Sequence, residues 1–437
     1  MHLPNFFIYP AAMLFVLGVL VFIHELGHYA VAKWCGVRVE VFSIGFGKRL
    51  WGFHRGDTDY RISALPLGGY VKMAGENPME AKTGDPGEFT SHPRWQRFLI
   101  AIAGPVMNII LAIAVLTVVY QFPHQDPAVN HRPADVFFVT KDSPAEKAGI
   151  RKGDRIIKIE DIQDPTWSQV YLRFALNPKQ LVDVTVRRGD QKLDLKVKPD
   201  EVGADKIGDA GIMPPEFVGT IERGTPAEKA GLHEGDAILA VNGTSVQGTE
   251  EILNILQKEK SNPVQLTIWR EGKELQIKAT PQLLPTGPDE KKYRLGFSRM
   301  MATEQLPLSQ AFYRAVNECK ENSGQIFELL GKLIAHKNSP KQMSGPIGIA
   351  RLAGGAASQG FSQLMIAMAF ISLNLAIFNL LPIPILDGGL MLLLLIEGMI
   401  RRDVNQQIKE RIYQAAFVCL ILFASMVIFN DVTKSFH

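Results

Sequence analysis

The fold of this protein is decided by its N-terminal stretch, LPNFFIYPAAMLFVLGVLVFIHELGHYAVAKWC, residues 3–35. The first part, Leu3–Ile23, runs for 21 residues without Asp, Glu, Lys or Arg. A helix needs about 20 apolar residues to cross the hydrocarbon core of a bilayer, and lipid leaves no partner for unpaired backbone groups. The stretch therefore predicts a membrane-spanning helix that carries two ionisable side chains, His24 and Glu25, directly after its apolar run.

Three further stretches also lack charged residues: Phe98–Phe122, Phe361–Leu386 and Ile412–Asn430. Outside the four stretches, 346 residues carry all 91 charges and are 26% charged, which is ordinary for a soluble protein. The overall composition, 46% hydrophobic and 21% charged, is therefore an average over a membrane part and a water-exposed part, and it argues against a single soluble domain. A net charge of +3 without a basic block argues against a nucleic-acid partner. Three widely separated cysteines support neither a disulfide scaffold nor a cysteine zinc site.

The charges of the loops predict the orientation of the chain. Residues 33–97 contain ten Lys or Arg and residues 401–411 contain four, whereas the N-terminal tail has none. Because basic loops stay in the cytoplasm, we expect the segment 123–360 and both termini to be exported. A cleaved signal peptide is the alternative for the first span, but the N-terminus lacks positive charge and the motif at 24–28 interrupts the region where small residues are expected.

The exported segment contains an internal repeat. Ser143–Gly149 (SPAEKAG) recurs as Thr225–Gly231 (TPAEKAG), and the Gly-Asp pair at 153–154 recurs at 235–236, both with an offset of 82 residues. A repeat of this length indicates a duplicated domain. The predicted strands and short helices are Val136–Val139, Pro144–Ala148, Arg155–Ile159 and Val182–Arg187 in the first copy, and Val218–Ile221, Pro226–Ala230, Ala237–Val241 and Val264–Trp269 in the second.

Both copies resemble bacterial PDZ domains, which add an extended peptide to the edge of a sheet. The candidate loops for gripping a peptide end are Asp209–Ile212 and Arg294–Phe297. Binding of peptides and a role as spacer or gate both remain open for this pair.

His24 and His28 enclose the sequence His-Glu-Leu-Gly-His. On a helix, positions i and i+4 share a face, so both imidazoles can reach one Zn²⁺, and Glu25 is placed to act as general base. Placing ionisable groups at the depth of the bilayer costs free energy unless they have a partner. A divalent cation can be that partner. A buried structural histidine would explain one of the histidines but not the other together with Glu25.

Catalytic zinc needs a third protein ligand, and Asp387 is the best donor. It lies in the apolar stretch NLLPIPILDGG, residues 379–389. Pro382 and Pro384 exclude a regular helix there, and broken backbone at membrane depth is tolerated only where protein or water lines it. The alternative is that Asp387 only caps the helix that follows.

Together, HExxH in the first span, the distant NxxPxPxLDGG and the PDZ-like copies between them resemble the site-2 protease family of intramembrane zinc metalloproteases. The resemblance implies Zn²⁺ as cofactor, His24, His28 and Asp387 as its ligands, and Glu25 as the catalytic base. It also implies a membrane-associated β-loop over Val39–Met73. The residues that the resemblance implies to handle substrate are Asn374, Asn379, Pro382, Pro384, Gly68, Gly69 and Tyr70.

Two smaller features also bear on the resemblance. Gly104–Asn108 (GPVMN) is similar to the GPxxN of the family's second span. Leu390 follows LDGG where a His is expected in close relatives, so the role of this position is open.

The predicted fold is a multi-pass α-helical membrane protein with four transmembrane helices, a membrane-associated β-loop and two inserted β-rich PDZ domains. The predicted segments are 1–35, the first transmembrane helix with HExxH; 36–97, the β-loop on the cytoplasmic side; 98–122, the second transmembrane helix; 123–202 and 203–300, the two PDZ domains; 301–360, an amphipathic helix and linker; 361–397, the third transmembrane segment with LDGG; 398–411, a cytoplasmic loop; and 412–432, the fourth transmembrane helix.

The resemblance implies regulated intramembrane proteolysis in the bacterial inner membrane. The expected substrates are single-span membrane proteins of the anti-sigma factor type and remnant signal peptides, cut within or near their transmembrane segment. The PDZ domains and both termini would be periplasmic, with the active site near the cytoplasmic side and the PDZ pair binding substrate tails or controlling access. A non-catalytic PDZ scaffold and a metal transporter are the two rival functions, since intramembrane His and Asp also mark ion pathways.

Overall fold

The computed structural model describes residues 5–76, 84–203, 206–212, 214–246, 248–285, 291–335 and 345–435. The chain divides into two compact units, Met1–Pro123 with Gln305–His437 and His124–Glu304. We call the first the membrane unit and the second the β-rich unit. Part of the predicted segment 301–360, residues 336–344, lies outside the described residues.

The membrane unit begins with helix α1 (Asn5–Cys35), which ends where Gly36 adopts a φ of +85°. A left-handed residue at this position lets the last turn close, and the Val37 N–H donates to the Ala32 carbonyl at 2.9 Å. Strands β1 (Val39–Arg55) and β2 (Thr58–Met73) follow and pair with each other. Helix α2 (Arg94–Gln121) then packs against α1.

The two strands of the β-loop bend so that one segment lies at a free edge. Residues 41–44 of β1 pair with residues 69–72 of β2 on one side and with residues 59–62 on the other. Within the described residues, the segment 69–73 therefore pairs with β1 along one side only. One face of this segment lies against α1, since a Cβ on Gly69 would come within 3.6 Å of Glu25 Cγ.

The β-rich unit contains short strands and helices, in chain order β3 (His124–Pro127), α3 (Pro144–Ala148), β4 (Arg155–Ile159), β5 (Ile162–Gln163), α4 (Trp167–Ala175), β6 (Val182–Arg188), β7 (Gln191–Val197), β8 (Asp200–Val202), β9 (Ile207–Asp209), β10 (Glu216–Ile221), α5 (Pro226–Lys229), β11 (Ala237–Val241), β12 (Thr244–Ser245), α6 (Thr249–Glu259), β13 (Val264–Arg270), β14 (Lys273–Ala279), β15 (Gln282–Pro285), β16 (Lys291–Arg294), β17 (Phe297–Arg299) and β18 (Met301–Glu304). One sheet has the order β5-β4-β6-β7, and another has the order β14-β13-β11-β10-β17 with β12 paired to β11.

The sequence repeat is also a repeat of buried polar contacts. Arg188 donates to both carboxylate oxygens of Asp154 and to a backbone carbonyl. Arg270 makes the same contacts with Asp236 and with the carbonyl 82 residues further along. Both aspartates are 1% exposed, and a buried carboxylate of this kind is stable only when it is paired. The duplication therefore preserved the interaction that allows Asp to be buried after each glycine.

One predicted strand is wrong. Residues 136–139 have no strand pairing, whereas the corresponding part of the second copy forms β10. The Val136 N–H still donates to the Asp154 carbonyl at 2.7 Å, so the segment is extended but bonded only at isolated positions. Residues of the second copy, Phe217 and Leu239, also belong to the hydrophobic core of the first, so the two copies pack directly against each other.

The chain returns to the membrane unit with helices α7 (Leu308–Ile334), α8 (Pro346–Gln359), α9 (Phe361–Asn379), α10 (Asp387–Ile400) and α11 (Gln406–Ser435). The predicted bounds need three corrections. The described part of 301–360 holds two helices instead of one helix and a linker: the second, 346–359, has Pro in its first turn and contains four alanines, the best helix former. The predicted third segment 361–397 is two helices, α9 and α10, separated at the prolines. The last helix begins at Gln406, not at residue 412, since charged residues are good helix formers outside lipid.

Four helices of the described residues are long and apolar enough to span a membrane: Ile8–Cys35, Arg94–Gln121, Phe361–Asn379 and Gln406–Thr433. Helix α2 packs against α1 on one side and α9 on the other. The Ser372 hydroxyl of α9 donates to the Asn108 carbonyl of α2 at 2.8 Å, which fixes the height of one helix against the other. The three helices α1, α2 and α9 therefore form the frame in which the site is built.

Candidate metal centre

His24, His28 and Asp387 are brought together although Asp387 is more than 350 residues from the histidines along the chain. The Nε2 atoms of His24 and His28 lie 3.2 Å apart. His24 Nε2 lies 3.2 Å from Asp387 Oδ2, and His28 Nε2 lies 3.5 Å from Asp387 Oδ1. Ligands of a tetrahedral zinc with bonds of about 2.0–2.1 Å lie about 3.3 Å apart. The spacing and the donor types therefore fit Zn²⁺, and both histidines are only 8% exposed.

Asp387 reaches the histidines because the chain breaks between α9 and α10. Helix α9 ends at Asn379, and the prolines prevent it from continuing. A Cβ on Gly388 would collide with the Leu380 carbonyl, and one on Gly389 would collide with the Ile383 carbonyl. The two glycines thus let the chain fold back closely on itself. Asp387 is the first residue of α10 and makes no side-chain cap at the Leu386 position, so capping alone does not explain it.

The Nδ1 atoms of both imidazoles have partners on α2. His28 Nδ1 lies 2.7 Å from the Ile100 carbonyl oxygen. A carbonyl accepts only from N–H, so Nδ1 carries the proton and Nε2 keeps the lone pair that a metal requires. The backbone of α2 therefore selects the ligating tautomer of His28.

Asn108 does the same for His24. The Asn108 side-chain amide lies 3.3 Å from His24 Nδ1. An amide can present its nitrogen or its oxygen at such a position, and the Asn108 oxygen otherwise has no hydrogen-bond partner among the described residues. With the oxygen turned toward His24, Nδ1 donates, the buried oxygen is satisfied and Nε2 is free to ligate. We therefore assign the oxygen to the contact with His24.

Glu25 lies beside the triad formed by His24, His28 and Asp387, at the free edge of β2. The Val71 N–H donates to Glu25 Oε2 at 3.0 Å, which leaves Oε1 for other partners. A pocket of about 220 Å³ joins Glu25 to the triad, and Tyr70, Glu76 and Leu390 also line it. The carboxylate of the HExxH motif is thus held next to the triad and next to an open strand edge.

The M50 peptidase family model matches residues 12–423 of the chain. The chain belongs to peptidase family M50. Regulator of sigma-E protease RseP of Salmonella typhimurium is 32% identical over 97% of this chain and 98% of that protein. The protein of the same name from Escherichia coli K12 is 33% identical over the same shares. Among solved structures, the PDZ domain of an SdrC-like protein from Listeria monocytogenes covers 20% of this chain and 87% of its own, with 17% identity and a TM-score of 0.18.

As a member of the M50 peptidase family, the protein is a bacterial membrane zinc metalloprotease. The triad of His24, His28 and Asp387 is the group of His, Cys, Asp and Glu side chains in the described residues whose donor atoms converge within 4.8 Å. The zinc that the family requires therefore has a donor set of the right number and chemistry in this chain.

The residues predicted to handle substrate lie at different distances from the triad. Asn379 is adjacent, with its Nδ2 atom 3.4 Å from His24 Nε2. Gly69 lies next to Glu25 on β2, and Tyr70 lines the pocket. Gly68 lies one residue further out, where a Cβ would collide with the Phe46 ring.

The remaining predicted residues are further from the histidines. The Asn374 amide donates to the Phe370 carbonyl of its own helix at 2.8 Å. Pro382 lies in the break between α9 and α10, and Pro384 lines a second cavity of about 630 Å³. Leu390, where a His was expected, lines both cavities.

Several residues that shape the site were not predicted as site residues. Asn108 was noted only as part of GPxxN, although it contacts His24. Glu76 gives no signal in the sequence, yet it lines both cavities, and burial raises the pKa of its carboxyl to about 7. The position of Glu76 beside the triad follows only from tertiary contacts.

Gly104 of α2 lies directly against both histidines. A Cβ there would collide with His28 Nε2 and come within 2.8 Å of His24 Cε1. We expect Gly104→Ala to push the imidazoles apart and to lower zinc content and proteolytic activity at least roughly tenfold, as loss of supporting contacts does at metal sites. Metal analysis and a cleavage assay on the purified variant measure both effects.

Gly18→Ala is the matched control, because a Cβ at this position of α1 meets nothing within 4 Å. It should keep wild-type zinc content and activity. Full zinc occupancy and full activity in Gly104→Ala would show that the helix spacing has no effect on the metal.

Proposed function

We propose that this protease hydrolyses peptide bonds within or near the transmembrane segment of single-span membrane proteins. The observation that carries the proposal is the position of the triad. His24 and His28 belong to a helix long and apolar enough to span a membrane, and Asp387 lies eight residues after the end of another. A peptide bond that reaches this site must come from within the bilayer or from its border.

His24, His28 and Asp387 would hold Zn²⁺, which would supply a Lewis acid for the scissile carbonyl and for a water molecule. Glu25 accepts a proton from the attacking water and passes it to the leaving amine. Its Oε2 atom is held by the Val71 N–H, so the carboxylate is oriented before substrate arrives. Asn379 is placed to donate toward the oxygen that gains negative charge during attack.

Pairing with the free edge of β2 would stabilise an unwound, extended segment of the substrate. An amide inside a helix is hydrogen-bonded and shielded, whereas an extended segment can pair with a strand edge and expose its carbonyls. Gly69 allows a close approach at this edge, and Tyr70 lines the pocket beside it. We assign Gly68, Gly69 and Tyr70 to this pairing, and Asn374, Pro382 and Pro384 to the path by which the substrate enters.

We further propose that the β-rich unit consists of two PDZ domains with unequal grooves. In the second copy, a cavity of about 270 Å³ lies between α6 and the loop Arg294–Phe297, with Leu253 among its lining residues. In the first copy, α4 packs on β9 so tightly that a Cβ on Gly208 would collide with the Phe174 carbonyl. A peptide tail therefore has room in the second copy, and the first serves as its support.

The proposed setting is the bacterial inner membrane, with both termini and the β-rich unit in the periplasm and the site near the cytoplasmic side. The asymmetry of basic residues between the loops supports this orientation. By analogy with relatives named as regulators of sigma-E, anti-sigma factors are the proposed substrates, together with remnant signal peptides.

The test uses the full-length enzyme in detergent with a single-span protein, either intact or with its exported domain trimmed to an apolar C-terminus. We expect cleavage of the trimmed form only, at a site that mass spectrometry places in or beside the transmembrane segment, and no cleavage with a chelator. Leu253→Glu should weaken tail binding and cleavage roughly tenfold, because a carboxylate in the groove repels the carboxyl end of the tail.

Asn254→Glu, one residue along and exposed, is the matched control and should behave as wild type. Equal cleavage of intact and trimmed substrate would contradict control of access by the β-rich unit. Products cut only in soluble segments would contradict intramembrane hydrolysis.

A further inference from the structure

The edge of β2 that faces the catalytic pocket is already engaged by two side-chain carboxylates. The Val71 N–H donates to Glu25 Oε2 at 3.0 Å, and the Met73 N–H donates to Glu76 Oε2 at 3.2 Å. In a strand, residues two apart direct their N–H groups to the same side. Residues 69–73 pair with β1 on their other side, so these two donors belong to the free edge.

Glu76 also lies where two cavities meet. It lines the 220 Å³ pocket that contains the triad and the 630 Å³ cavity that extends beyond it along α10. Asp387, Met73 and Leu390 line both cavities as well. A chain that followed the strand edge from the triad into the larger cavity would therefore meet the Glu76 side chain.

We propose that Glu76 is a built-in competitor of the substrate, which must displace its carboxylate to pair with Met73 and to extend into the larger cavity. The proposal rests on the proposed pairing of substrate with the edge of β2. In the free enzyme, the Glu76 carboxylate accepts the hydrogen bond that a substrate carbonyl accepts in the complex.

The exchange is energetically feasible. A substrate backbone carbonyl replaces the Glu76 carboxylate at the Met73 N–H, so the number of hydrogen bonds at the edge is kept. Burial raises the pKa of Glu76 to about 7, so the ionised carboxylate is less stable at the edge than in water.

Three variants of Glu76 separate competition from a structural role. Glu76→Ala removes the acceptor, and Glu76→Asp keeps the charge but shortens the side chain out of reach of Met73. Both should lower KM for a single-span substrate roughly three- to tenfold, the effect of one net hydrogen bond, with kcat unchanged. Glu76→Gln keeps an acceptor oxygen at the same place and should keep the wild-type KM. Glu321→Ala, a change at an exposed position of α7, is the control and should change neither constant.

A KM that stays at the wild-type value or rises in both Glu76→Ala and Glu76→Asp overturns the proposal. A loss of kcat at constant KM also overturns it, because that result assigns Glu76 a structural role. If the wild-type enzyme cuts no single-span substrate in the same assay, the proposed function fails and, with it, this inference. Cleavage by wild type with unimproved KM in both variants rejects the inference alone.

Discussion

Glu25→Gln is expected to lower kcat by roughly 10²–10⁴-fold while the enzyme keeps its zinc. Glutamine has almost the same shape, and its amide oxygen can still accept the Val71 N–H that holds Glu25 Oε2 at 3.0 Å. It cannot accept a proton from water, so the variant isolates proton transfer from positioning. The measurement is single-turnover cleavage of a purified membrane substrate, with zinc determined on the same sample.

Glu321→Gln is the matched control, since it makes the same chemical change at an exposed position of α7. It should cut at the wild-type rate. Preserved cleavage by Glu25→Gln would remove the general-base role, and loss of zinc from the same variant would reassign Glu25 to the support of the metal.

Asp387→Ala is expected to lower zinc affinity by more than roughly 100-fold and to abolish activity at zinc concentrations that saturate the wild-type enzyme. Loss of a residue that only supports a ligand costs about 10- to 100-fold, and loss of a ligand should cost more. Three donors converge within 4.8 Å, and the Asp387 carboxylate is the one that comes from the C-terminal half of the chain. Zinc titration against a competing chelator measures the affinity, and added zinc should restore activity only at high concentration.

Asp403→Asn provides the control for Asp387. Its carboxylate binds Arg94 at 2.8 Å on an exposed surface, so its loss should change neither zinc affinity nor rate. Undiminished zinc in Asp387→Ala would mean that the third ligand is another residue, and Asn379 would then be the first alternative to test, because it lies 3.4 Å from His24 Nε2.

Much of the membrane unit could be predicted because its signals are local. An apolar run of 21 residues must span or be buried, and HExxH places two imidazoles on one helix face whatever lies around them. The repeat at an offset of 82 residues and the alternating stretches predicted five of the sixteen strands that the structure describes in the β-rich unit, for the same reason. The strand predicted at 136–139 was wrong because pairing depends on a partner edge, which the pattern of apolar residues does not specify.

The sequence by itself determined the number of spans, the chemistry of the metal donors and the duplication, because each follows from the order of neighbouring residues. Only the tertiary structure decided what surrounds the donors: the Ile100 carbonyl and Asn108 that select the histidine tautomers, Gly104 that makes room for the rings, and Glu76 at the strand edge. These contacts join different helices and strands. Their geometry is set by how α1, α2 and β2 pack, and no local periodicity records it.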